Sequence, residues 1–350
     1  MRRRIGAIGA AALAAGLMGG ARAGAATLCV APGGAGGCFA SVQAAVDAAA
    51  SGDEIDIAAG TYQESLVVIR GKRVRLKGAG AGATLITGAQ GALFVGKGAR
   101  VVASAMELTT TATNVVAAVT VNGIPGRARL ELEDCVVEGP GVAGVAGVRA
   151  SFAGLEVRRC TISAPNWDGV AAGAKSRVRI ERSTIAASGG GVDLDAGRVL
   201  VVDSTVTGNA AGIVMRDGAQ RARLRVRSST IAGNGSHAIL SFSRGAIRVQ
   251  GSIVSGLCDI QHPLARLVSL GGNVFSSDCV ASRGRTAEDV VGVDPLLGPL
   301  QDNGGPTETM LPGPGSPALG LVGRRRPCTG TDQRGMARSL PCDAGAVEVP

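Results

Sequence analysis

An internal repeat constrains this chain more than any other feature. Six ten-residue segments align without gaps: Leu130 to Gly139 (LELEDCVVEG), Leu155 to Ala164 (LEVRRCTISA), Val178 to Ala187 (VRIERSTIAA), Val199 to Gly208 (VLVVDSTVTG), Leu224 to Gly233 (LRVRSSTIAG) and Ile247 to Gly256 (IRVQGSIVSG). Their starts are separated by 25, 23, 21, 25 and 23 residues. Apolar residues hold positions 1 and 3, positions 4 and 5 are mostly polar or small, Ser or Cys holds position 6, and position 8 is apolar. Alternation with period two means strand. The change of phase between positions 3 and 6 places a bend at 4 and 5. A second short apolar strand follows, around Val148, Val170, Val192, Ile213 and Ile239, usually led by glycine.

Such a unit cannot bury its inward face alone, so the repeats must stack. Equivalent strands of successive coils, ~4.8 Å apart, build parallel sheets around a narrow core. The expected fold is all-β: a parallel β-helix, extended backwards by weaker copies at Val101, Val74 and Ile55 to about nine coils. Asn209 and Asn234, both at position 11, are expected to stack as a structural ladder in the turns.

Composition agrees. The chain has 55 glycines but only seven aromatics, namely five Phe, Tyr62 and Trp167. Glycine disfavours helix interiors, and here it follows no collagen period; 45% hydrophobic residues argue against a disordered chain. So few aromatic rings weigh against single-stranded nucleic-acid platforms, and no nucleic-acid partner is expected. Arg2, Arg3 and Arg4, the apolar run Ile5 to Met18 and the pattern Ala21-Arg22-Ala23 read as a secretory signal over residues 1–23. Removing those arginines, Arg22 included, lowers the net charge from +9 to +5. The apolar run is too short to span a bilayer, so no transmembrane segment is expected in the mature chain. A secreted or cell-surface location, extracellular or periplasmic, follows.

Eight cysteines in an exported chain imply a disulfide-permissive compartment. Their spacing favours the local pairs Cys29 with Cys38, Cys135 with Cys160, Cys258 with Cys279 and Cys328 with Cys342. Cys135 and Cys160 occupy position 6 of adjacent coils, which allows either a bond or a buried thiol stack; the compartment favours the bond. No CxxC spacing is present, so no zinc site is expected, and the leading reading assigns no metal or cofactor.

Both ends of a solenoid need caps. Val42, Ala45, Val46 and Ala49 recur at helical spacing before Gly52, and a short helix there can cover the first coil. Residues 24–257 are thus read as the capped solenoid. From Cys258 to Pro350, with 10 of the 14 prolines and four of the cysteines, a loop-rich, disulfide-stapled module is expected to pack on the last coils.

These ends also carry a resemblance. Ser41 to Ala50 (SVQAAVDAAA) followed by Gly52 to Tyr62 (GDEIDIAAGTY) resembles the opening of pectin lyase-like right-handed parallel β-helix proteins. Asp294 to Thr307 (DPLLGPLQDNGGPT), Pro314 to Ala318 (PGSPA), Thr331 to Gly335 (TDQRG) and Cys342 to Glu348 (CDAGAVE) resemble the C-terminal choice-of-anchor Q module of bacterial surface and secreted β-helix proteins. The resemblance implies a right-handed coil and release or non-covalent surface attachment. It implies no fixed activity.

Two functional readings follow. In the first the protein is non-catalytic and either binds carbohydrate or envelope polymer or serves as a rigid structural or adhesive module. Arg223, Arg225, Arg227 and Arg248 would form a basic patch for an acidic polysaccharide, and Trp167 a lone sugar-stacking platform. In the second, which the resemblance allows, it is a calcium-assisted polysaccharide lyase on a uronic-acid polymer, with Asp193, Asp195 and Asp217 near Arg216, outward on neighbouring coils. His237 and His262 are read as turn residues rather than bases. Repeats of 21 to 25 residues leave no room for the long insertions that usually wall a catalytic cleft, so the first reading leads.

Overall fold

The computed structural model describes residues 24–124, 127–216, 222–275, 279, 288–323, 328 and 330–350. The expected signal segment and Asp217 lie outside them. Each coil contributes a strand in turn to three parallel sheets, here called first, second and third, of 11, 11 and 9 strands.

The register is the one the repeats dictate. In the first sheet Leu130 pairs with Leu155, then Val178, Val199, Leu224 and Ile247 follow rung by rung. In the third, Val148, Val170, Val192, Ile213 and Ile239 are successive partners. The phase change at position 5 is a left-handed backbone residue in every repeat: Asp134, Arg159, Arg182, Asp203, Ser228 and Gly251 have φ between 44° and 55°. One such residue turns the chain sharply enough for positions 3 and 6 both to face the core.

Position 6 explains why these strained bends persist. Each side chain there donates to the carbonyl two residues before it, and from Cys160 onward each accepts the backbone N–H of the same position one coil earlier. Cys160 N–H meets Ser183 Oγ at 3.1 Å, Ser183 N–H meets Ser204 Oγ at 3.2 Å, Ser204 N–H meets Ser229 Oγ at 3.3 Å, and Ser229 N–H meets Ser252 Oγ at 3.2 Å. Buried backbone groups that the bend removes from the sheets are satisfied by this ladder. Asn209 and Asn234 do the same in the next turn: Asn209 N–H and Nδ2 both donate to Asn234 Oδ1, at 3.2 and 3.0 Å. The expected asparagine ladder is present.

The ladder also corrects the expected cysteine pairing. Cys29–Cys38, Cys258–Cys279 and Cys328–Cys342 are bonded, but Cys135 and Cys160 are free buried thiols. Cys135 Sγ turns to the Glu133 carbonyl, and Cys160 Sγ accepts from the Cys135 N–H at 3.4 Å. They fill the serine role of the later coils, and a bond would break these contacts.

The solenoid is longer than the sequence count of nine coils. Thr27–Val30 adds a strand in front of Glu54–Ile57, and Arg266–Ser269, Val274–Phe275 and Val290–Val291 add strands at the rear, from residues expected in the C-terminal module. Strands of two residues carry too little alternation to be counted by pattern. The front helix runs Val42–Ala48, with Val42, Ala45 and Val46 in the main core. Its N-terminus is held twice: Ser41 Oγ accepts from Ala44 N–H at 3.2 Å, and the Glu64 carboxylate accepts from the N–H groups of Val42 and Gln43 at 2.9 and 2.8 Å.

The rear residues lie across the outer face of the second sheet. There Thr184, Thr205 and Thr230 stand in register. Thr205 Oγ1 donates to Gln333 Oε1 at 2.7 Å, Gln333 Nε2 donates to Thr184 Oγ1 at 2.9 Å, and Ala346 N–H donates to Thr230 Oγ1 at 3.0 Å. Asp332, fully buried, receives Arg334 and the N–H groups of Met336 and Glu348. The TDQRG and CDAGAVE segments therefore act as docking elements.

Candidate functional site

With the second sheet covered at its later coils, the outer faces of the first and third sheets carry the candidate residues. On the first, the middle coils are internally neutralised. Arg158 lies 3.0 Å from Glu156 and 3.4 Å from Glu133, and Arg179 lies 2.8 Å from Glu181. Of these, Arg158 with Glu133 is the cross-strand pairing expected from alternating signs, while the other two contacts join residues two apart on one strand.

The last coils differ. Arg225 and Arg248 are register partners, and Arg198, Arg223, Ala246 and Arg266 succeed one another in the adjacent outward column. Ala246 stands where its neighbours carry arginine, and the missing side chain opens a groove of about 510 Å³. Arg223, Arg244, Arg248 and Arg266 line it, over a floor that includes Gly245 and Ala246. None of these four forms an ion pair with a described carboxylate. Four guanidiniums around a gap can hold carboxylates or other oxyanions with paired hydrogen bonds.

Of the expected basic patch, Arg223 and Arg248 reach this groove. Arg225 is exposed one column away, and Arg227 is half-buried nearer the bend. Arg244 and Arg266 were missed: one sits in a turn, the other beyond the last recognisable repeat. Trp167 does not join them. It precedes the third-sheet strand Val170–Ala172, and its backbone carbonyl accepts from Gly189 N–H.

The third sheet carries the other expected constellation. Asp193 was expected to point outward; it is only 4% exposed. Arg216 covers it, with Nε 2.6 Å from Asp193 Oδ2, and remains half-exposed itself. Asp195 aligns with Arg216 by strand register, as expected, yet the ion pair runs to Asp193. The sequence reading did not single out Asp168, buried in the turn beside Trp167. It lies over Gly190, where a Cβ would come within 2.7 Å of its Oδ1. Burial, and then the neighbouring Asp168, push Asp193 up to about 7. Burial likewise raises Asp168, opposed by Arg216 and Arg149. Among the described residues no three His, Cys, Asp or Glu side chains converge as metal donors. His237 heads the strand His237–Ser241 and is half-buried.

Residues 113–254 match the family model described as right handed beta helix region. The solenoid is a right-handed parallel β-helix. Two solved structures resemble the β-helix. One is the A-module of the mannuronan C-5 epimerase AlgE4 of Azotobacter vinelandii, at 17% identity over 67% of this chain and 70% of that one, TM-score 0.45. The other is pectate lyase Pel9A, at 14% identity over 94% and 97%, TM-score 0.49. No curated protein matches the chain in sequence. The three disulfides fit an oxidising compartment, and no described helix is long and apolar enough to cross a membrane.

Proposed function

We propose that the protein is an exported β-helix module that binds an acidic polysaccharide in the arginine groove of the first sheet. One observation carries this reading: Arg223, Arg244, Arg248 and Arg266 converge on a gap without a described acidic partner. Clustered like charges oppose folding, so an external anion is the natural counterpart. Scarcity of rings favours a glycan over single-stranded nucleic acid. The C-terminal segments that resemble choice-of-anchor Q fit a surface-associated protein, and their docking on the second sheet leaves the arginine face free. The test is retention on polygalacturonate resin. Release by moderate salt, with weaker retention of Arg223→Glu/Arg248→Glu, is expected; retention indifferent to both, or none at all, contradicts the proposal.

A second reading rests on Asp193. A buried carboxyl poised near neutrality beside a second carboxyl is a recognised acid–base arrangement. The base for a uronate lyase would then be Asp193 rather than Arg216, whose guanidinium is taken up by an ion pair with that carboxylate. Ultraviolet-absorbing unsaturated products from a uronate polymer, abolished by Asp193→Asn, would establish it. No product from any uronate tested would set it aside.

A further inference from the structure

The groove is one end of a longer feature. Register partners in a single outward column of the first sheet are Arg73, Arg100, Arg129, Gly154, Arg177, Arg198, Arg223, Ala246 and Arg266. Seven of nine successive rungs carry arginine. All but Arg266 of these seven are exposed, and none forms an ion pair with a described carboxylate. The nearby Glu131 and Glu156 are engaged by Arg158 in the next columns instead. At the far end a second groove, of about 220 Å³, is lined by Arg73, Arg75, Arg100 and Arg129 together with Glu131, the carboxylate that Arg158 engages.

Guanidiniums stacked at ~4.8 Å intervals repel one another and give the fold nothing in return. The sheet holds them in a straight row parallel to the solenoid axis. An extended chain with one carboxylate per sugar presents anions in a row of similar spacing. We propose that an acidic polysaccharide lies along this arginine column, parallel to the axis, bridging the groove at Arg223 and Arg266 with the one at Arg73 and Arg100. This rests on the binding reading above and adds an orientation, a second site and a dependence on chain length. Each added contact is local and modest, so affinity accumulates by multivalency.

The experiment measures binding of short and long oligogalacturonates to the wild type and to Arg73→Glu/Arg100→Glu, whose reversed charges lie six and five coils from Arg223 of the first groove. Circular dichroism checks folding, and Arg73→Gln/Arg100→Gln is the milder second variant. The proposal expects wild-type affinity to rise with oligomer length. It expects both variants to lose about fivefold to tenfold for long chains, while short ones lose one of two sites and keep the one at Arg223 and Arg266. Long-chain affinity equal in wild type and variants overturns the column while leaving the groove intact. Failure of the wild type to bind even short oligomers removes the groove reading itself. Equal binding of a single-stranded nucleic acid of matched charge overturns the assignment to a glycan.

Discussion

Arg338 Nη2 lies 3.2 Å from Asp203 Oδ1, and the arginine side chain is wholly sealed from solvent. Asp203 is a left-handed bend residue of the solenoid, so this pair ties the rear segment to the coil. Glu348 lies 3.5 Å from the same guanidinium.

Replacing Arg338 with Met removes the buried cation that Asp203 and Glu348 share. Breaking a buried pair from one side typically costs about 3 to 5 kcal/mol, and the expected outcome is a loss of that order in urea unfolding. A loss below about 1 kcal/mol would mean that the rear segment is held elsewhere.

Cys135 and Cys160 give a second prediction. Alkylation of the denatured, unreduced protein should add two groups per chain, and the folded protein should resist alkylation because burial raises the Cys160 thiol well above its ordinary range. Cys160→Ser should be tolerated within about 1 kcal/mol, since serine fills that rung in later coils. No alkylation after denaturation would show a fourth disulfide.

Asp193 sets a pH dependence. Its folded pKa, about 7, exceeds the ordinary 3.8, so the folded state binds the proton more tightly. The resulting stability is complete below pH 3.8 and is lost as pH rises through about 7. Asp168→Asn removes the repelling carboxylate and lowers the pKa of Asp193. Melting temperature should therefore fall less steeply between pH 4 and 8 in the variant than in the wild type, in thermal unfolding followed by circular dichroism. Superimposable profiles would contradict the coupling.

The coil register was legible because alternation and the Ser or Cys at position 6 recur in every repeat, and side-chain period two forbids a one-residue slip. Asp168 was hidden for a physical reason: it precedes its strand in a turn and is brought to Asp193 by the absence of a side chain at Gly190, one coil on. The groove was half-legible for a similar reason. Arg223 and Arg248 sit in recognisable repeats, but the gap depends on Ala246, and a missing side chain carries no pattern of its own. Cys135 and Cys160 were correctly stacked, and only the hydrogen-bond ladder distinguishes thiol from bond.

The central claim is tested most directly by titrating the protein calorimetrically with an oligogalacturonate at low and physiological salt. The account predicts saturable binding that weakens with salt and falls about tenfold or more in Arg223→Glu/Arg248→Glu. Absence of binding by the wild type, or equal binding by the variant, would contradict it.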